Sequence, residues 1–176
     1  MKSNKSEILL FALASLAFLG FVPAIFFVLI PYEIITSEVQ VYTSKIGAFR
    51  FIGTIPIIVG ILSFFWCAWS FTFSGKGTPW HFLPAEELVV SGLYRYVRNP
   101  IYVGGFLVLC GEAILFASAG LLIYASAMFI FFNLMVHGEE ASLRRKFGEA
   151  YEQYCKSVPR WIPRLKAFRG DNSESS

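Results

Sequence analysis

Charged residues are scarce in this chain. Asp, Glu, Lys and Arg make up 15% of its 176 residues, whereas a soluble domain carries about 25%. Together with a hydrophobic content of 56%, this excludes an ordinary soluble domain. The chain also lacks the Gly-rich strand-to-helix fingerprint of doubly wound nucleotide-binding domains. Its three cysteines show no paired spacing, so we expect no disulfide framework and no metal site. With a net charge of only +3 and no recognisable motif, nucleic-acid binding is not expected.

Long apolar runs dominate what is present. Residues 8–30 and 46–73 are each long enough to cross a bilayer, and we expect Pro31 to end the first span. Residues 100–136 are apolar apart from Glu112 and Asn133. One straight helix of that length exceeds the roughly 30 Å hydrocarbon core. We therefore predict two spans, 100–117 and 121–136, joined by a tight turn at residues 118–120.

The character of the chain changes after His137. Apolar and aromatic residues recur there at helical spacing on one face, which predicts an interfacial amphipathic helix. These residues are Leu143, Phe147, Ala150, Tyr151 and Tyr154. The predicted fold is therefore all-α: a multi-pass membrane helical bundle of about four transmembrane helices plus a cytoplasmic amphipathic C-terminal helix.

Four segments follow from this reading. Residues 1–73 hold transmembrane helices one and two, and residues 74–99 form a cytoplasmic loop. Residues 100–165 form a core of the helical hairpin and the C-terminal helix, and residues 166–176 form a disordered tail. Basic residues concentrate at both ends and in the loop, and four spans place all three on one side. The positive-inside rule then makes both termini cytoplasmic, in the cell (inner) membrane.

The stretch GLYRYVRNPIYVGG, residues 92–105, marks the start of the third span. Asn99 is a good helix N-cap, and Pro100 fits the first helical position. A helix N-terminus attracts anions, and Arg98 adds a planar cationic donor fork. Two interpretations stay open for this stretch: a ligand site, or the aromatic and basic anchor that many membrane helices carry at the interface.

The predicted hairpin brings this stretch beside the end of the fourth span, at His137, Glu139 and Glu140. A ligand with both an ammonium and a carboxylate fits such a cluster. Glu139 or Glu140 would hold the ammonium, while Arg98 or the helix N-terminus would hold the carboxylate. The alternative is an interfacial salt bridge among the same groups.

At this point the chain resembles a known family. The segments LVVSGLYRYVRNPIYVGG and EEASLRRKFGEAYEQYCKSVPRWIP, with the hairpin between them, are similar to the isoprenylcysteine carboxyl methyltransferases and their bacterial relatives, which include phospholipid methyltransferases. The resemblance covers about half the chain, and the first two spans match only in character. It implies S-adenosyl-L-methionine bound at the cytoplasmic membrane edge. It also implies methyl transfer to a lipophilic small-molecule or lipidated acceptor from the lipid bilayer.

The resemblance also implies site residues. Its cofactor-binding positions correspond to Leu88, Val89, Tyr94, Arg98, Asn99, Pro100, Ile101, Tyr102, Glu139 and Glu140. Asn99 stands where the eukaryotic enzymes have histidine. We expect Asn133 and His137 to contact the acceptor, although an interfacial histidine bonded to backbone or water is an alternative for His137. No catalytic residue is assigned. Met135 replaces an arginine that contacts the prenylcysteine in the eukaryotic enzymes, which argues against that substrate.

Two other classes of function remain open at this point. A sterol-type membrane reductase that uses NADPH has a comparable C-terminal region, but it would need more basic residues near residues 94–102. A non-enzymatic membrane scaffold would not require Arg98 and Glu139 to converge. Glu112 lies deep in the third span, and we favour a protonated structural group over a contact with the acceptor. The oligomeric state is not predicted.

Overall fold

The computed structural model describes residues 20–37 without residue 22, residues 47–73, and residues 88–168 without residue 89. Side chains of residues 68–73 are outside this description. Across the described ranges the protein is helical and contains no strand. The beginning of the predicted first span, most of the predicted loop 74–99 and the candidate residue Val89 lie outside the described residues.

The first described helical segment passes through a proline. A π-helical turn, Ile25–Leu29, leads into α1, Ile30–Ser37. The prediction that Pro31 ends the first helix is therefore wrong, and residues 31–37 are helical rather than part of a loop. The π-helical turn directly before Pro31 accounts for this, because local π adjustments allow a membrane helix to continue through a proline.

Two helices pack against each other through glycines. A 3₁₀ segment, Gly47–Gly53, leads into α2, Thr54–Phe73, and α3 spans Pro100–Phe116. Gly53 faces Gly111, and Gly60 faces Gly104, so the two elements run antiparallel. A Cβ added at any of these four glycines would come under 3.0 Å from the opposing backbone. The spacing of seven residues on both partners puts the glycines on one face of each, which permits the close approach typical of membrane helices.

A tight turn joins α3 to α4, Ala119–Ser157. Ala117 adopts the left-handed conformation with φ of 49°. The Ser118 hydroxyl accepts a hydrogen bond from the Leu121 N–H at 3.0 Å, which caps α4. The predicted split of the apolar run is confirmed. The turn itself lies at Ala117 and Ser118, whereas Gly120 is already helical, because the serine cap starts the helix early.

The predicted C-terminal helix is only in part separate: residues up to 147 continue α4, and a short helical piece, 149–157, follows a kink at Gly148. The helix runs unbroken past His137 until Gly148, whose φ of 54° and ψ of −125° are not helical. Residues 119–147 therefore rise about 44 Å at 1.5 Å per residue, well beyond a hydrocarbon core of about 30 Å. No strong helix breaker stands at the end of the apolar run, so the helix continues without a break into the polar residues that follow. Tyr151 and Tyr154 are buried as the helical spacing implies, but Ala150 is exposed.

Among the described residues, two helical stretches are long and apolar enough to cross a membrane. Gly47–Cys67 has 21 residues and a mean hydropathy of 2.0, and Ala119–Ser157 also passes this test. Ile25–Ser37 and Pro100–Phe116 are apolar but shorter. Large apolar side chains on α2 point outward, including Ile55, Leu62, Phe65 and Trp66, each at least 60% exposed. A helical protein embedded in a membrane accounts for this exposure; the count of four spans stays a prediction.

Candidate active site

The end of the hairpin opposite its turn brings the start of α3 beside the middle of α4. The Tyr102 hydroxyl donates a hydrogen bond to Glu139 Oε1 at 2.6 Å. The Tyr102 ring packs against buried Phe132, with ring centroids 5.1 Å apart. The apolar contact fixes the ring, and the ring fixes the direction of the hydroxyl. The predicted convergence of the third span's start with Glu139 is confirmed.

A buried carboxylate lies next to this pair. The Glu140 side chain is 6% exposed and lies between two guanidinium groups. Arg160 donates from Nε to Oε1 at 3.0 Å and from Nη2 to Oε2 at 2.6 Å, which is a bidentate pair. Arg98 Nη1 lies 3.1 Å from Oε1. The Glu140 carboxylate therefore pairs with two positive charges. When the half-buried Glu139 is included, the net charge of these four side chains is zero. Buried charges require such pairing.

Arg98 joins α4 to the chain that follows it. Its Nη1 also contacts the sulfur of Cys155, and its backbone N–H donates to the Pro159 carbonyl at 2.9 Å. Its Nε is buried and has no hydrogen-bond partner among the described residues. A buried N–H of a guanidinium without a partner is costly and is a natural position for an anionic group of a ligand.

Asn99 precedes α3, but its side chain does not cap the helix. The amide nitrogen of Asn99 donates instead to the Arg160 carbonyl at 3.3 Å. The predicted side-chain cap is therefore wrong, because the amide is drawn to the returning chain. The helix still begins at Pro100, as predicted, and the Asn99 carbonyl accepts from the Val103 N–H at 3.0 Å. Pro100 is buried and Ile101 is half-buried in this first turn.

The C-terminal segment, residues 158–168, returns across the loop that precedes α3. The Arg164 N–H donates to the Tyr96 carbonyl at 3.0 Å, and the Phe168 N–H donates to the Arg95 carbonyl at 2.9 Å. Arg95 Nε in turn donates to the Phe168 carbonyl at 2.7 Å. The Trp161 ring packs against Phe129 of α4, tilted by 51° with ring centroids 5.3 Å apart. The segment is thus tied to both sides of the candidate site.

Tyr94 and Leu88 lie on the side of the site that faces the end of α4. The Tyr154 hydroxyl donates to the Tyr94 carbonyl at 2.7 Å. Burial raises the pKa of the Tyr94 phenol well above its ordinary value, with smaller contributions from neighbours that include Glu139. Tyr94 is therefore neutral at physiological pH. Leu88 packs on the cluster formed by Tyr151, Tyr154 and Val158, at the edge of the site.

His137 is tied both to its own helix and to the C-terminal segment. Its Nδ1 lies within hydrogen-bond distance of the Asn133 carbonyl, and its Nε2 lies 3.1 Å from Arg160 Nη1. The predicted acceptor-contacting residues Asn133 and His137 are thus neighbours one helical turn apart, and His137 is exposed. It is the Asn133 backbone, rather than its side chain, that makes the contact.

The structure gathers most of the predicted residues around one hairpin end. Arg98, Tyr102, Glu139 and Glu140 meet there directly. Arg160 is the participant that the sequence analysis missed, since it counted only as one of many basic residues. The available signal was indirect: a buried Glu140 beside Arg98 needs well-placed partners, and Pro159 turns the chain back toward the site.

Comparison with known proteins identifies the family of this chain. The model of the phospholipid methyltransferase family matches residues 49–150, more than half of the chain. The chain belongs to the phospholipid methyltransferase family. That family assignment covers α2, α3 and the part of α4 that carries Glu139 and Glu140, but not the C-terminal segment.

Curated relatives of this family member cover shorter stretches. A protein-S-isoprenylcysteine O-methyltransferase of Schizosaccharomyces pombe is 42% identical over 77 residues, which is 43% of this chain and 33% of that protein. A methanethiol S-methyltransferase of Crocosphaera subtropica is 40% identical over 70 residues, 40% of this chain and 27% of that protein. The nickel-cobalt-cadmium resistance protein NccN of Alcaligenes xylosoxydans xylosoxydans is 28% identical over 123 residues, 69% of this chain and 53% of that protein.

The match therefore spans about a third of the first two of these relatives and about half of the third. No solved structure matches the chain significantly.

Proposed function

We propose that this protein is an integral membrane methyltransferase that uses S-adenosyl-L-methionine, similar to isoprenylcysteine carboxyl methyltransferases. It transfers a methyl group to a lipophilic acceptor at the cytoplasmic membrane interface. One observation carries the proposal: the Tyr102–Glu139 pair and the arginine Arg98 converge at the start of α3. Family membership and the names of the two methyltransferase relatives support the same reaction class.

The residues at this position fit the proposed cofactor. Glu139 is half-buried, and its carboxylate, oriented by the Tyr102 hydroxyl, suits the ammonium of the methionine part. The buried Nε of Arg98, which lacks a partner among the described residues, suits the carboxylate carried on the same α-carbon as that ammonium. Asn99, Pro100 and Ile101 supply the first turn of α3, where free backbone N–H groups favour an anion. Bound there, the cofactor would supply an electrophilic methyl group on its sulfonium.

Glu140 has a different part in this proposal from Glu139. Its two oxygens are bound by Arg98 and Arg160. We therefore propose that Glu140 holds Arg98 in place and so supports the cofactor site indirectly. Tyr94 and Leu88, at the edge of the same site, remain cofactor-contact proposals together with Val89.

The acceptor enters from the bilayer in this account. Met135 stands where an acid-binding arginine would be expected in the eukaryotic enzymes, so we propose a lipophilic acceptor without a prenylcysteine carboxylate. We assign His137 and Asn133 to the acceptor side; His137 lies beside Arg160 and contacts the Asn133 carbonyl. Holding the two reactants in line within a site shielded from water then provides most of the rate enhancement.

Glu139→Gln tests the proposed cofactor site. Glutamine keeps the size, and its carbonyl oxygen can still accept from Tyr102, so only the charge is lost. Losing one partner of such a charged pair costs about 2–5 kcal/mol, which corresponds to roughly 30- to 5,000-fold weaker binding. Isothermal titration of S-adenosyl-L-methionine into detergent-purified protein measures this. Ser142→Ala, on the exposed face of α4 and one turn away, is the matched control.

The outcomes separate the proposal from the plain interfacial salt bridge. A large loss for Glu139→Gln, with parental binding for Ser142→Ala, supports the cofactor site. Parental affinity in both variants would show that Glu139 does not bind the cofactor.

A further inference from the structure

Arg160 lies beyond the residues that the family match covers, 49–150, yet its side chain and backbone both contact the site. Its Nε and Nη2 bind Glu140, and its Nη1 lies 3.1 Å from His137 Nε2. Its carbonyl accepts from Asn99. A single guanidinium thus uses all three of its nitrogens on α4, while its backbone is tied to the start of α3. Arg160 itself comes from the C-terminal segment.

These contacts define the form of His137. A guanidinium can only donate, so His137 Nε2 must be the acceptor and carries no proton. A backbone carbonyl can only accept, so Nδ1 must carry the proton that it donates to the Asn133 carbonyl. Both contacts hold together only when His137 is neutral and protonated on Nδ1. Which ring nitrogen is protonated is generally set by the hydrogen bond that the other one makes.

We propose that Arg160 is a positioning residue of this site: from the C-terminal segment it holds the Glu140 carboxylate and keeps His137 neutral, with its proton on Nδ1. The effect on cofactor and acceptor binding rests on the proposed function, whereas the contacts of Arg160 with Glu140 and His137 do not depend on it. The Nε2 lone pair of His137 then stays directed toward the site, available to a hydrogen-bond donor on an acceptor that displaces Arg160 Nη1. The pair with Glu140 uses the other two nitrogens and can remain intact.

A second consequence concerns Glu139. Consecutive residues on a helix point about 100° apart, so fixing Glu140 on one side of α4 also fixes the direction of Glu139 toward Tyr102. Arg160 therefore acts on the cofactor-binding carboxylate through the helix, without touching it. Outer partners of this kind, studied best around metal ligands, are worth roughly 10- to 100-fold in affinity or activity when removed.

Nitrogen-15 NMR of histidine-labelled protein reads the His137 form directly. The chain has only two histidines, so the histidine signals that remain in a His81→Gln variant belong to His137. In the parent we expect one protonated nitrogen, Nδ1, and one bare nitrogen, Nε2, with well-separated shifts. In Arg160→Gln the two shifts should move toward each other, because water can bind either nitrogen and both neutral forms become populated.

Binding of S-adenosyl-L-methionine to the same variants provides the functional readout. We expect Arg160→Gln to weaken it about 10- to 100-fold. Arg145→Gln makes the same chemical change on an exposed part of α4 and should leave both readouts at parental values. Arg160→Lys keeps the charge for Glu140 but lacks the planar fork, so it should fold as the parent does yet still lose the single His137 form. If Arg160→Gln unfolds, the His137 spectrum of Arg160→Lys tests the proposal in its place.

The results are distinguishable from failure of the proposed function. A parent whose His137 carries its proton on Nε2 overturns the inference. So does an unchanged His137 spectrum in folded Arg160→Gln and Arg160→Lys. If the parent binds no S-adenosyl-L-methionine, the proposed function fails, while the His137 spectra still decide whether Arg160 positions the site.

Discussion

Replacing Glu140 by glutamine should destabilise the protein strongly, whereas the same change at Glu139 should not. The Glu140 carboxylate is 6% exposed and is the shared partner of Arg98 and Arg160. The change removes one negative charge and leaves two partly buried guanidinium groups, 12% and 26% exposed, facing a neutral amide. Breaking a buried ion pair in this way costs about 3–5 kcal/mol, because the remaining charges are no longer compensated.

That cost can be converted into a melting temperature. For a chain of this size, 1 kcal/mol corresponds to a shift of about 2–4 °C, so Glu140→Gln should melt roughly 6–20 °C below the parent. Glu139→Gln keeps the hydrogen bond from Tyr102 and removes only a half-buried charge, so we expect a shift of less than about 4 °C, the equivalent of 1 kcal/mol. Thermal unfolding of detergent-purified protein, followed by tryptophan fluorescence, measures both variants under one condition.

A double variant tests the cause of the loss. If the destabilisation comes from uncompensated arginines, adding Arg160→Gln to Glu140→Gln should recover part of the lost stability. Equal melting temperatures for Glu139→Gln and Glu140→Gln would refute the division of work between the two carboxylates. Failure of the double variant to recover any stability would refute its electrostatic basis.

Other predictions concern packing, topology and the acceptor. Gly60→Ala should cost about 1–3 kcal/mol, because its Cβ would overlap the α3 backbone, whereas Gly138→Ala, with nothing within 4 Å of the new Cβ, should be neutral or stabilising by up to about 1 kcal/mol; melting curves compare the two. Ser118→Ala should cost about 1 kcal/mol in the same assay through loss of the α4 cap. Reporter fusions at the two termini should both indicate the cytoplasm, and opposite sides would contradict four spans. Met135 predicts poor methylation of prenylcysteine carboxylates, and efficient ester formation from such a substrate would disprove this.

The hairpin was predictable because the length of an apolar run limits how many times it can cross a bilayer as a straight helix. Residues 100–136 are too long for one span, and the small residues near 118 allow a turn, so the convergence of the start of α3 with residues 137–140 followed from the sequence, although the Tyr102–Glu139 pair itself did not. The end of the first helix was not predictable from Pro31 alone, because a local π-helical turn, here Ile25–Leu29, lets a helix continue through a proline. The sequence analysis ended the fourth span at residue 136, because the polarity of the chain changes at His137. Helix propensity does not change there, so α4 continues. The break at Gly148 depends on the unusual φ of that residue.

Side-chain partners were harder to predict than the helices. Arg98 and Glu139 converge as expected, but the pairing of Glu140 with Arg160 depends on how the chain returns after Val158. No periodic pattern encodes a contact between an extended segment and a helix. The Asn99 amide, a good cap by residue type, donates to that same segment instead. Tertiary contacts therefore decided which of several locally reasonable hydrogen bonds were formed.

Equilibrium binding of methyl-labelled S-adenosyl-L-methionine to the purified protein tests the central claim most directly. We predict saturable binding at one site per chain, displaced by unlabelled S-adenosylhomocysteine and not by NADPH. No saturable binding would contradict a methyltransferase site at the start of α3. Displacement by NADPH instead would favour a reductase.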